Sequence, residues 1–211
     1  MTIQAVVFDA YGTLVHIPRE SKVHRTLFGR IKTLSATGLK GFDPHQSMRE
    51  PMTLRDIAVR CGVVMDEHEM QVLEENLKRD QQGVEVFPDA VYALKSLRHR
   101  GLKVAVCSNL GVGFAEPVLR HMPFALDAYA WSYEIGAVKD EPAIYQWVCQ
   151  KLELKPEQIL FTGDTYKADV LGPRVAGMRA VHLQRDRTKA YAEAGISDLM
   201  GILGYVQGKG L

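Results

Sequence analysis

Cysteine is scarce in this sequence. Cys61, Cys107 and Cys149 are its only three. They are too few and too scattered for a disulfide framework or a zinc site, and a reducing cytoplasm is the compartment they fit. A charge bias is missing as well. Against 26 basic residues stand 25 acidic ones, a net charge of +1, so nothing favours nucleic acid or an acidic membrane as partner. No apolar run approaches the ~20 residues that span a bilayer. With the first strand read from Ile3, no signal peptide is expected. Internal repeats and low-complexity tracts are absent. Trp131, Tyr133 and Trp147 read as packing residues, not as a stacking platform.

What is present suffices for a sizeable core: 211 residues, 46% of them apolar, as one domain with a large insertion or as two. Ile3 to Phe8 is apolar, β-branched and too short for a helix. It reads as a strand buried on both faces at the centre of a parallel sheet. The strand stops at Asp9, and Gly12-Thr13 turns the chain directly afterwards. From Val86 onward, helices and strands alternate. Helices are expected from Pro88 to Arg100, Gly113 to His121, Glu141 to Lys151 and Asp169 to Ala176. Strands are expected from Leu102 to Cys107, Ala128 to Ser132, Ile159 to Thr162 and Ala180 to Leu183. This pattern predicts an α/β fold, a Rossmann-like parallel sheet covered by helices. The glycine-rich end from Gly201 is expected to fray.

Residues 16–84 read differently. Val23, Leu27, Ile31 and Leu34 recur at helical spacing, and Gly38 and Gly41 end that helix. Phe42 to Pro51 is a connector. Thr53 and Asp56 approach a capping box ahead of Leu54, Ile57 and Ala58, and Asp66 caps a helix carrying Met70, Leu73 and Leu77. No strand signal interrupts them. The expectation is an all-helical domain of residues 16–84, inserted into a core of residues 1–15 and 85–211.

Three expected strands end in polar residues: Asp9, Ser108-Asn109 and Asp164. A parallel sheet places all three on one edge, where ligands bind in open α/β folds, and Lys139 can join them. Taken singly, Asp9 reads equally as a turn aspartate, Ser108 as a strand-end cap and Lys139 as a solvated helix flank. Together they suit a metal and a phosphate. Two adjacent carboxylates repel unless one takes a proton or a cation lies between them, and Mg²⁺ is the expected cation. Ser108 Oγ, backbone N–H groups and Lys139 then suit phosphoryl oxygens.

These segments, "FDAYGTLV", "VCSNLG", "AVKDEP" and "FTGDTYKADVLGPRVAGM", resemble in content and order those of the haloacid dehalogenase superfamily. The resemblance covers the chain outside the helical insert, whose position matches that family's small helical cap. It implies a hydrolase in which Asp9 is the nucleophile and forms a covalent aspartyl intermediate. It also implies that Asp9, the Tyr11 carbonyl and Asp164 ligate Mg²⁺. Ser108 and Asn109 would bind the transferred group, Lys139 would neutralise it, Asp169 would support Lys139 or the metal shell, and Thr13 would orient the loop. For Asp169 a helix-capping role stands equally open.

Two features depart from the family pattern. Its phosphatases usually carry a second aspartate two positions after the nucleophile as general acid and base; here Tyr11 stands there. "DAYGTL" also occurs in the family's haloacid dehalogenases, but those work without metal and lack an aspartate like Asp164. Beside Asp9, that charge would repel a haloacid carboxylate. The expected activity is therefore Mg²⁺-dependent hydrolysis of a small phosphorylated metabolite, an anionic substrate. A haloacid dehalogenase using Asp9 and a weakly catalytic binding protein are the alternatives. Without the second aspartate, acyl and aryl phosphates, whose leaving groups need no proton, are favoured. The second departure, Asp140-Glu141 after Lys139, is expected to weaken the pull of Lys139 on an anion. On the insert side, His16, Arg19, Lys22, His24, Arg25 and Arg30 are candidates to enter the cleft. Lys32 and Lys40 can imitate the cap lysine of the phosphonate-cleaving branch, and Tyr166 and Lys167 are placed at the entrance. Cys107 reads as a buried strand residue.

Overall fold

The computed structural model describes residues 2–34, 42–186, 188–189, 191 and 193–207. Its strands are β1 (Ala5–Phe8), β2 (Val15–His16), β3 (Glu85–Val86), β4 (Lys103–Ser108), β5 (Ala128–Trp131), β6 (Ile159–Gly163) and β7 (Arg179–His182). Helices α1 (Val23–Leu34), α2 (Gln46–Arg49), α3 (Leu54–Arg60) and α4 (Glu67–Gln82) lie between β2 and β3. Then follow α5 (Pro88–His99), α6 (Ala115–His121), α7 (Ser132–Ile135), α8 (Pro142–Leu152), α9 (Gly172–Val175) and α10 (Ile202–Val206).

Five strands form one parallel sheet in the order β5-β4-β1-β6-β7. Strand β1 is central because none of its residues offers a polar face, so an edge position would expose it. Its side chains alternate between two layers. Val6 and Phe8 join Val104, Val106 and Leu160 under α5, which supplies Ala90, Ala93, Leu94 and Leu97. Ala5 and Val7 join Ala105, Cys107, Ile159 and Phe161 under α8, which supplies Ile144, Tyr145, Val148 and Leu152. The sheet is thus covered on both faces, a Rossmann-like α/β arrangement.

The helices between β2 and β3 bury a separate cluster, with Leu27 and Ile31 of α1, Leu54 and Ile57 of α3, and Met70 and Leu73 of α4. Their starts are fixed locally. The Asp56 N–H donates to Thr53 Oγ1 at 3.1 Å while the Thr53 N–H donates to Asp56 Oδ2 at 2.8 Å, a complete capping box. Asp66 accepts from the Glu69 N–H at 3.1 Å.

Several elements differ from the sequence reading. Strands β2 and β3 pair antiparallel at the base of the helical segment, where no strand was expected beyond Val15. Helix α2 lies in the expected connector. The expected helix from Asp169 begins instead as a π-helical turn over Lys167–Leu171. From Gly201 the expected fraying gives way to α10, which buries Ile202 in the core, while residues 208–211 of that expectation lie outside the described residues. Gly38, Lys40 and Gly41 lie outside the described residues. Among the described residues no helix is long and apolar enough to cross a membrane, and the three cysteines are unpaired.

Candidate active site

The carboxyl ends of β1, β4 and β6 bring the polar residues together. The Asp9 N–H donates to the Thr162 carbonyl at 2.9 Å, extending the β1–β6 ladder by one rung and fixing the backbone of Asp9 to the rigid centre of the sheet. Asp9 Oδ1 accepts from Ser108 Oγ at 2.9 Å and from Lys139 Nζ at 2.5 Å. Lys139 Nζ also donates to Asp169 Oδ1 at 2.6 Å. Asp169 Oδ2 accepts from the Thr165 N–H at 2.8 Å, so both of its oxygens are engaged. Lys139 sits in a loop, not at a strand end, and its backbone needs separate anchors. Its N–H donates to Asn109 Oδ1 at 2.8 Å, and its carbonyl meets the buried hydroxyl of Tyr145.

The π-helical turn carries Asp169 fully buried beneath β6. Such turns widen the backbone locally and recur at functional sites. Gly163 makes the approach possible: a Cβ there would lie 2.3 Å from Asp169 Cγ. Gly12 does the same for Asp164, since a Cβ there would lie 2.3 Å from Asp164 Oδ2 while φ is +84°. Both effects oppose a side chain. Gly12→Ala is expected to cost about 1–2 kcal/mol from the left-handed backbone alone, more with the displaced carboxylate, and thermal unfolding measures it. An unchanged melting temperature would show that the turn relaxes freely.

Charge at this edge is unbalanced. Asp9, Asp164 and Asp169 place ligand atoms within 4.8 Å of one another, and Lys139 is the cation paired with two of them. Burial alone would lower the Lys139 pKa, but the charges of Asp169 and Asp9 outweigh it and hold the ammonium well above its ordinary value. Burial raises the Asp169 carboxyl, and Lys139 opposes that rise. The two shifts pull against each other. The short contact to an ammonium held so firmly protonated favours the ionised carboxylate. Asp164 stays open to solvent as a residue, yet desolvation, followed by the charge of Asp9, raises its pKa. Its one side-chain hydrogen bond among the described residues, from Thr165 Oγ1, is long at 3.4 Å.

A cavity of about 460 Å³ opens beside this cluster. Its wall combines the core loops at Tyr11-Gly12, Asn109 to Gly111 and Asp164 with His16, His24 and Phe28 of the helical side. Asp9 and Lys139 are buried and do not line it. Of the six basic candidates on the insert side, His16 and His24 reach the wall, whereas Arg19, Lys22, Arg25 and Arg30 do not. Arg30 instead pairs with Glu69 at 2.6 Å. Lys32 is exposed.

Other candidates sit elsewhere than expected. Tyr166 and Lys167 are not in the wall: Tyr166 donates to Glu193 at 3.2 Å and Lys167 pairs with Asp140 at 2.8 Å. The negative charge expected to weaken Lys139 is likewise spent, since Glu141 pairs with Arg49 of α2 at 2.9 Å. Thr13 is fully buried with its hydroxyl unpartnered. The loop is held by its carbonyl instead, which accepts from Arg185 Nη2 at 2.7 Å while Arg185 Nη1 donates to Asp89 at 2.9 Å. Arg185 and Tyr145 are beyond the sequence reading: neither lies in a motif, and each acts on a backbone carbonyl, Tyr145 on that of Lys139 six positions away and Arg185 on that of Thr13 172 positions away. Cys107 is an inert core thiol, its pKa pushed up strongly by burial.

Residues 3–177 match the haloacid dehalogenase-like hydrolases. The chain belongs to this family. The chain is 35% identical over 103 residues to a phosphoglycolate phosphatase of Mannheimia succiniciproducens, a match spanning 46% of this chain and 44% of that protein. It is 25% identical over 197 residues to (S)-2-haloacid dehalogenase 1 of a Pseudomonas species, spanning 87% of this chain and 85% of that one. Its fold superposes on a crystal structure of 2-haloacid dehalogenase from Pseudomonas syringae with a TM-score of 0.71 at 19% identity, covering 98% and 99% of the two chains. At that identity the likeness is one of fold.

Proposed function

We propose that this hydrolase is a Mg²⁺-dependent phosphatase of small phosphate esters that works through an aspartyl phosphate on Asp9. One observation carries the reading: three carboxylates converge within 4.8 Å, and among the described residues only Lys139 offsets them. The donors fit a hard divalent cation, which takes oxygen ligands from few carboxylates and carbonyls. Asp9, Asp164 and the Tyr11 carbonyl would hold it, since that carbonyl accepts no hydrogen bond among the described residues. Asp169 is spent on Lys139 and Thr165. When bound, Mg²⁺ supplies positive charge that polarises the phosphoryl group.

The protein's own groups then have distinct roles. Ser108 and Lys139 both hold Oδ1 of Asp9, which leaves Oδ2, unpartnered among the described residues, as the attacking oxygen. An ammonium has three donors; Lys139 uses two on Asp9 and Asp169, and the third suits a phosphoryl oxygen. Asn109, which lines the cavity, and Ser108 complete that cradle. Residues 16–84 would act as a cap over a core of residues 1–15 and 85–211, excluding water across the cavity. Their separate apolar cluster supports this division.

A second reading, haloacid dehalogenation, is favoured by Tyr11 and by the long match to a dehalogenase. Against it stands the chemistry of the wall. Asp164 would repel the acid's carboxylate, and no lysine or arginine among the described lining residues would bind it. The two separate in one assay. Phosphate release from a panel of phosphate esters is expected with Mg²⁺ and is expected to fall by about 10²-fold or more in EDTA, given what a Lewis acid supplies. Metal-independent halide release from 2-chloropropionate, with no phosphate release, would overturn the phosphatase reading.

A further inference from the structure

The cavity is chemically one-sided. Tyr11, Ile17, Phe28, Met48, Leu110 and Phe114 give it apolar and aromatic walls. The rings are fixed against each other: Tyr11 meets Phe114 edge-on with centroids 5.5 Å apart, and His24 tilts on Phe114 at 6.3 Å. The charged side chains among the described lining residues are carboxylates, Glu20 and Asp164. A leaving group bearing its own anion finds no counter-ion here, whereas a flat ring finds aromatic faces and edges on which to stack.

Proton donors are equally constrained. Tyr11 stands two positions from Asp9, but its hydroxyl donates to the Phe114 carbonyl at 2.9 Å. His24 packs on Gly111, and burial lowers its imidazole, which favours the neutral form. His16 is drawn towards the ribbon, stacked on Phe87 at 4.4 Å and 3.9 Å from Glu85. None of these three side chains is placed to protonate the departing oxygen, which favours a phenol, with a pKa of about 10, over an alkanol as leaving group.

We propose that the substrate class is the aryl phosphate monoester, with the ring of the leaving group seated among Tyr11, Phe28 and Phe114. This rests on the phosphatase reading above. In the first step Asp9 Oδ2 bonds to phosphorus as the bond from phosphorus to the aryl oxygen breaks. The phenolate leaves with the electron pair and takes a proton from water. Water then attacks phosphorus, the bond to Asp9 breaks, and inorganic phosphate departs as a proton is released to solvent.

Four substrates separate ring from leaving group, assayed on the full chain with Mg²⁺. Phenyl phosphate has both features, benzyl phosphate the ring alone, acetyl phosphate the leaving group alone, and phosphoglycolate neither. Phenyl phosphate is expected to give the highest kcat/KM, about 10²-fold or more above benzyl phosphate and phosphoglycolate, the lower bound of what a missing general acid costs. Tyr11→Asp is expected to narrow that gap, and Phe28→Ala to lower phenyl phosphate turnover more than acetyl phosphate turnover. Binding gives a readout without turnover: Asp9→Asn is expected to bind phenylphosphonate at least about tenfold more tightly than methylphosphonate, from the buried ring area. Benzyl phosphate or phosphoglycolate within tenfold of phenyl phosphate, acetyl phosphate above it, or equal phosphonate affinities each overturn the aryl assignment and leave the phosphatase intact. No turnover of any of the four overturns the phosphatase itself.

Discussion

Asp9→Asn is expected to leave a folded protein with no measurable phosphate release. The amide keeps the size of the carboxylate, and its oxygen can still accept from Ser108, which donates to Asp9 Oδ1 at 2.9 Å in the native site. Lys139 keeps its second partner, Asp169, at 2.6 Å, while one of three mutually repelling charges is gone. Folding therefore loses one ion pair and gains relief from repulsion. Catalysis has no such offset, because a neutral amide neither attacks phosphorus usefully nor forms the acyl phosphate. Loss of a nucleophile costs on the order of 10⁴–10⁶-fold in turnover. Phosphate release and a thermal melt on the same preparation check both halves. Activity above one-hundredth of wild type, set against an expected loss of at least about 10⁴-fold, would remove Asp9 from the role of nucleophile.

How much of this site can be read from the chain depends on how locally each part is determined. Asp9, Ser108 and Asp164 stand directly after buried apolar runs, and a parallel sheet aligns such ends whatever the loops do. The strand β1 itself is legible because a stretch without polar residues has only one place in the sheet, its centre. Lys139 is different. It follows the short helix α7, and its ammonium reaches Asp9 across 130 positions of sequence, so the sequence offers it as a candidate beside the strand ends, and its role there comes from the family resemblance. The ribbon of β2 and β3 has two residues in each strand, too few to show a period of two. The π-helical turn under Asp169 adds width to a helix without changing which residues are apolar, so the sequence pattern is silent about it. The charges of Asp140 and Glu141 mislead for a related reason. Their neutralising partners, Lys167 and Arg49, lie 27 and 92 positions away, and only the folded chain brings them near. Arg185 is further still, holding the Thr13 carbonyl from 172 positions along the chain.

The largest loss of stability is expected from Lys139→Met. The side chain is 4% exposed and pairs with Asp9 Oδ1 at 2.5 Å and Asp169 Oδ1 at 2.6 Å. Methionine fills similar space, so packing changes little and the missing charge dominates. Asp169, fully buried, then has no cation to meet, and the Thr165 N–H is its remaining donor. Removing one partner of a buried ion pair costs about 3–5 kcal/mol, chiefly because the other charge is stranded. At about 2–4 °C per kcal/mol for a chain of this size, the melting temperature falls by roughly 6–20 °C. Melts run in EDTA isolate this effect from any bound cation. The stranded charge can also be removed: adding Asp169→Asn to Lys139→Met is expected to recover part of the loss, so that the double variant melts above the single one. Groups in one network couple in this way, and the difference between the two melts measures the coupling. A Lys139→Met protein melting within about 2 °C of wild type, less than 1 kcal/mol on this scale, would mean that the ammonium contributes no net stability. In that case its retention, despite the cost of burying a charge, would have to be explained by the chemistry at Asp9 alone.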